Sequence, residues 1–214
     1  MADAPEPPTY NRIAGASIER LAALSDGVFA VAMTLLVLDL HVPAAAAVHD
    51  EAGLLRALAA LAPRLLVFLM SVMTLGIFWV GQQTQLNHLR HGDRDLAWLH
   101  IGFLCAVSVV PFTTALIAEF VTFRVALIAY WANILVLGAL LYASWRHARA
   151  RDLTRDEITV ALACAVERRI LYAQALYAVG ALLCVVNTYW SLGFILLLQL
   201  NYAVAPRLPG LWRL

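Results

Sequence analysis

The sequence predicts an all-α, polytopic membrane protein with six transmembrane helices, and three observations carry that expectation. Of the 214 residues, 63% are hydrophobic and only 14% charged, about half the charged share of an ordinary soluble domain. Several apolar runs reach the roughly 20 residues that cross a hydrocarbon core about 30 Å thick. The 15 basic residues are all arginine, and they crowd onto alternate loops. The mean hydropathy is +0.78. The spans leave no room for a separate soluble domain, so a soluble enzyme and a nucleic-acid binder are both excluded.

In chain order, the first ten residues carry Pro5, Pro7, Pro8 and two acids and read as disordered, the start of a tail that ends at residue 19. Leu21 to Val42 forms the first span, punctuated by Ser25, Asp26, Thr34 and Asp39. Leu65 to Gly81 is the second. An amphipathic lead-in with Arg56, Pro63 and Arg64 precedes it, and the polar patch Gln82, Gln83, Gln85 follows. Leu96 to Ala118 is the third, with Pro111 inside it, and Val125 to Trp145 the fourth. A polar stretch, Arg146 to Arg169, comes next, in which Arg155, Asp156 and Glu157 are suited to cap a short amphipathic helix. Ile170 to Thr188 is the fifth span. Leu192 to Ala205 is a shorter sixth that begins near Tyr189, and a second tail runs over 207–214. The membrane domain is thus expected over 20–206.

Orientation follows from arginine, because excess basic residues mark cytoplasmic loops while acids count for little. Arg12 and Arg20 precede span one, Arg90 and Arg94 lie between two and three, and Arg207 and Arg213 follow six. Arg146, Arg149, Arg151, Arg155, Arg168 and Arg169 lie between four and five, so twelve arginines share one side and only Arg56, Arg64 and Arg124 the other. Both termini are therefore expected in the cytoplasm, and the arginine-rich stretch is expected to touch anionic headgroups of the bilayer. Trp79, Trp98, Trp145 and Trp190 sit near span ends, where interfacial aromatics belong. The absence of lysine and the abundance of alanine fit a bacterial inner (plasma) membrane.

Cofactor chemistry finds no support. Cys105, Cys164 and Cys184 stand alone, without zinc, iron-sulfur or disulfide spacing, and are expected to be packing residues. Of the six histidines only His100 lies within a span, so no haem ligand pair and no metal site is expected. The second half holds no copy of the first helix, so the unit is single.

The first helix carries most of the information. Val31, Thr34, Leu35 and Leu38 follow the i, i+3, i+4, i+7 spacing of one helical face, extended by Val28 and Val42. Any apolar helix yields a stripe facing lipid or the bundle, and the spacing alone does not establish a pore. Asp26 is different, because an ionisable group within a span is costly and faces protein, a partner or water. It lies roughly 140° around the helix from Val31, turned toward neighbouring spans, where Arg20, Gln82, Gln83 or His100 are the available partners.

The segment Arg20-Leu-Ala-Ala-Leu-Ser25-Asp26, continuing through a small-apolar run to Thr34-Leu35-Leu36, resembles the first-helix signature of the endolysosomal-type potassium channels, the bacterial branch of the transmembrane protein 175 family. That signature is an arginine, three residues, Phe-Ser-Asp and a run ending in Thr-Leu-Leu. Here Leu24 replaces the phenylalanine. The resemblance continues through Phe78-Trp79, where Gln82-Gln83 stands in place of a histidine pair, and through Val110-Pro-Phe-Thr-Thr-Ala-Leu116. It covers about the first 120 residues; the last three spans match only in number and length.

What the resemblance implies is a homotetramer of six-span subunits that conducts potassium passively through a central pore lined by the four first helices. Val31, Leu35 and Leu38 would form its hydrophobic layers and gate by dewetting, Thr34 would supply a ring of hydroxyls for ion selection, and Arg20, Ser25 and Asp26 would fix the first helix. The chain has no Thr-Val-Gly-Tyr-Gly segment, so selection falls to side chains, with modest preference for potassium expected. Asp39, near the outer end, could gather cations at the mouth or simply be a solvated acid. A secondary transporter built around a break at Pro111, a proton-permeable channel, and an intramembrane enzyme using His100 and Asp26 are the remaining readings.

Overall fold

The computed structural model describes residues 15–204, so both expected tails lie, wholly or mostly, outside the described residues. Within that range the chain is helical, with no strand beyond an isolated bridge between Leu89 and Thr154. Helix α1 spans Ile18–Leu38, and its cap is the Ser17 hydroxyl, which accepts the Arg20 amide at 3.3 Å. A 3₁₀ turn at Ala45–Ala47 leads to α2, Glu51–Ala60, which is capped by Asp50. Helix α3 follows at Ala62–Asn87, with Pro63 in its first turn, where a missing N–H costs nothing. Helices α4, Arg94–Glu119, and α5, Arg124–Ala150, are the longest packed pair. Helix α6 spans Val160–Leu182 and continues into a 3₁₀ turn, Leu183–Val185, before α7, Thr188–Val204.

Five of these, α1, α3, α4, α5 and α6 with its following turn, are long and apolar enough to cross a membrane. Helix α7 is apolar but has 17 residues. Most helices overrun the expected spans. The largest departure is α6, which begins at Val160 rather than Ile170 and so takes in Glu167, Arg168 and Arg169. Thr159 caps it, and the short capped helix expected near Arg155 is absent. That segment instead turns at Asp152 (φ 54°) and docks on the α3–α4 loop, with the Arg90 amide donating to Leu153 at 2.8 Å and the Arg155 amide to His88 at 3.0 Å.

Helix α1 lies against α3 and α4, and α7 against α3 and α6. The core runs through Phe29, Leu36, Met70, Leu75, Phe103, Val107, Leu137 and Ile195. The Phe103 ring sits 6.1 Å from Phe29 and 6.2 Å from Phe78, tying α1, α3 and α4 together. Pro111 does not break α4. The hydroxyls of Thr113 and Thr114 turn back onto the Val110 carbonyl at 3.0 and 2.8 Å, so both polar side chains are satisfied within the helix.

A smaller cluster, Leu86, Leu89, Leu96, Ala148 and Leu153, closes the arginine-rich end. Here Asp93 caps α4 by accepting the Leu96 amide at 2.8 Å, and both its oxygens face the His147 Nε2 at 3.0 and 2.9 Å. Burial pushes the Asp93 carboxyl up, but the Leu96 amide, His147 and Arg151 together hold it below its ordinary value of 3.8. A depressed carboxylate stabilises the fold above its unfolded pKa and ceases to do so as pH falls through the folded one. Asp93→Asn should therefore lower thermal stability near neutrality toward the value the wild type shows in acid, and flatten the further loss below about pH 4 in detergent, while asparagine keeps the cap itself. An unaltered acid limb in the melting curves would remove Asp93 from that transition.

Candidate functional site

Helix α1 has two unlike faces. Phe29, Ala32 and Leu36 are at most 2% exposed and form its inner face, whereas Val31, Leu35 and Leu38 on the other are 57%, 44% and 67% exposed. Thr34 lies on the same open face. Its hydroxyl donates to the Val31 carbonyl at 2.8 Å, which uses its one proton on the helix and leaves oxygen lone pairs for another partner. Leu24, Val28, Val31 and Leu35 share a shallow groove of about 430 Å³ with Ser108 of α4. Asp39 caps the far end of α1, half buried.

Two adjacent residues fasten the opposite side of α1 to α3. Ser25 is fully buried; its hydroxyl donates to the Leu21 carbonyl at 2.8 Å and accepts from the Gln82 amide at 2.7 Å. Asp26 Oδ1 accepts two bonds of 2.8 Å, one from the Trp79 indole and one from the Gln83 amide. Of the partners expected for Asp26, the structure brings Gln83 to it, assigns Gln82 to Ser25, and brings neither Arg20 nor His100. Arg20 is exposed, with its backbone amide on the cap. His100 is buried, with neither ring nitrogen bonded.

Trp79 was the partner missed. Its place at a span end suggests an interfacial anchor, yet Trp79 and Gln83 stand four apart on one face of α3, the spacing that lets both reach a single carboxylate. Trp145 departs from the interfacial expectation too, being 1% exposed with its indole on the Ala163 carbonyl, while Trp98 and Trp190 are open.

A second polar set was not legible in the sequence. The Tyr130 hydroxyl of α5 meets Thr74 of α3 at 2.7 Å, Thr74 accepts the Gln199 amide of α7 at 2.6 Å, and Thr114 of α4 donates to Ser71 of α3 at 2.7 Å. These bonds hold four helices together inside the apolar core. Among the described residues, the metal-ligand atoms that gather are those of Asp93, Asp95 and His147, within 4.8 Å of one another. Their contacts are those of a helix cap and its ion pairs, with Arg151 3.9 Å from Asp95.

Comparison with known proteins places this arrangement. The family described as endosomal/lysosomal potassium channel TMEM175 matches residues 20–111, the segment holding α1, α3 and the first part of α4. A potassium channel of Chamaesiphon minutus is 30% identical over 194 residues, covering 86% of this chain and 93% of that one. The chain belongs to the TMEM175 family. The TMEM175 proteins are ion channels, not enzymes. The crystal structure of a lysosomal potassium-selective channel TMEM175 homolog from Chamaesiphon minutus superimposes with a TM-score of 0.77 at 29% identity, covering 89% of this chain and 98% of that one. The endosomal/lysosomal proton channel TMEM175 of Homo sapiens is 35% identical over 100 residues, covering 44% of this chain and 20% of that one.

Proposed function

We propose that this TMEM175-family chain is a potassium-permeable cation channel, with four copies assembling so that their α1 helices line a central pore. The observation that carries the reading is the open face of α1: an apolar stripe with one threonine, left uncovered on a helix whose other face is packed. A single α1 cannot enclose a pore, and four related by rotation bring the same face together at an axis. Val31, Leu35 and Leu38 then form stacked apolar rings that expel water when narrow, and helix separation admits ions. Four Thr34 oxygens replace part of an ion's hydration shell and favour potassium, which sheds water more readily than sodium.

The same reading counts α7 as a sixth span and puts the arginine-rich side, with both termini, in the cytoplasm of a bacterial inner membrane. Ser25 and Asp26 tether α1 to α3, Arg20 takes part through the cap of the helix, and Asp39 stands at the outer mouth.

Passive potassium efflux from liposomes holding the purified protein tests this, with sodium substituted for potassium and Thr34→Ala run alongside. The wild type should pass potassium faster than sodium, and Thr34→Ala should lower that preference several-fold while still conducting. Unchanged selectivity would remove Thr34 from the mechanism, and silence from a folded tetramer would overturn the channel reading. A proton-permeable pore is the second reading. It is favoured by the name of the human relative, a proton channel. A pH dye in the same liposomes separates the two.

A further inference from the structure

A crevice of about 570 Å³ lies between α3, α5, α6 and α7. Its volume is that of an ordinary ligand site, about 300–1,000 Å³. The walls are mainly apolar, with Ile77, Phe78 and Ile170 among them, yet two kinds of polar group interrupt them. Arg169 stands on its rim, with the guanidinium 6.0 Å from the centre of the Tyr202 ring across the α6–α7 gap. No carboxylate lies within ion-pair distance of Arg169 among the described residues, whereas Arg149 of α5 is paired with Glu167 of α6. Deeper in, Gln174 and Tyr177 add polar side chains to the lining; the Gln174 Oε1 has no hydrogen-bond partner among the described residues, and the Tyr177 hydroxyl lies beside Gln199.

We propose that this crevice binds an anionic phospholipid from the arginine-rich leaflet, its phosphate at Arg169 and one acyl chain along the apolar wall. The order of groups along α6 matches such a molecule. Arg169 and Tyr177 are eight residues apart, about 12 Å of helix, and side chains on a helix lean toward its N-terminus, which sends the Arg169 guanidinium outward toward the headgroups. Polar side chains inside an apolar crevice disfavour a purely hydrocarbon filling. A phospholipid brings polar ester groups to the depth of Gln174 and Tyr177. Charge decides between headgroups: an unpaired arginine at the rim attracts an anionic lipid over a zwitterionic one.

Gly138 keeps the crevice in shape. A Cβ at position 138 would stand 1.9 Å from the Gln174 amide nitrogen, so only glycine lets Gln174 lie back against α5, where it bonds the Ile134 carbonyl at 3.4 Å.

Native mass spectrometry of the detergent-purified protein, offered an equimolar mixture of phosphatidylglycerol and phosphatidylcholine, tests the proposal without reference to ion flux. Wild-type protein should retain phosphatidylglycerol over phosphatidylcholine by roughly fivefold, and Arg169→Gln should bring that ratio close to one. Ala173→Phe, which fills the crevice from its own wall, should abolish retention of both while the melting temperature is kept. Excess inorganic phosphate should not displace the bound lipid. Equal retention of the two lipids by wild type, no response to Arg169→Gln, displacement by phosphate alone, or lipid lost whenever copies assemble would each overturn it. Because the readout is binding, its failure and that of the channel reading are distinguishable.

Discussion

Leu35→Asn should raise potassium flux through the reconstituted protein by at least about tenfold, which corresponds to removing ~1.4 kcal/mol from the barrier. The reason is local. Four leucines facing one axis make a segment that water leaves, and an ion cannot cross it without losing its hydration shell. Asparagine is close to leucine in size but brings an amide that holds water in place, so the constriction stays wetted at the same diameter. Since Leu35 is open in the protomer, its replacement should leave the melting temperature nearly unchanged. The neighbouring residue supplies the control. Leu36 is 1% exposed on the packed face, so Leu36→Ala should destabilise the fold by about 2–5 kcal/mol and lower the yield of folded protein rather than open a pore. If both variants melted alike, or if flux rose in the second and not the first, the assignment of faces on α1 would be wrong.

Asp26→Ala should have the largest effect on how α1 is held. Removing the carboxylate leaves the Trp79 indole and the Gln83 amide without their shared acceptor, two charge-assisted bonds of 2.8 Å at once. Hydrogen bonds between membrane helices contribute less than their gross strength suggests, so a loss of about 2 kcal/mol is expected for the pair. That should lower the melting temperature in detergent by several degrees and speed hydrogen exchange at the amides of α1 ahead of those of α4 and α5. Asp26→Asn keeps an acceptor oxygen and should recover part of the loss. Equal stability of Asp26→Ala and wild type would show that Ser25 with Gln82, and the Phe29 packing, suffice to hold α1.

The positions of the helices were largely legible because hydropathy reports the slab of hydrocarbon, and the physics of that slab leaves few choices. Their ends were not. A helix needs no apolar residue to continue into water, since its backbone bonds are already made within it. Hence α3 runs on to Asn87, α5 to Ala150, and α6 starts ten residues before its apolar part. The direction of Asp26 followed from helical angles alone, but Trp79 was hidden because tryptophan at a span end has two uses and the sequence does not say which. Thr74, Tyr130 and Gln199 were hidden more deeply. Each is one polar residue in an apolar helix, separated from its partners by 56 and 125 positions, and no local spacing links them.

That last bond has a consequence for how the protein is made. Ser71, Thr74, Thr114 and Tyr130 all enter the membrane before α7 has been translated, and they can bond among themselves at once. Gln199 arrives last and finds an acceptor already waiting at Thr74. Helix α7 therefore meets groups that can already be bonded to one another, and acts as a closing wedge on the polar set.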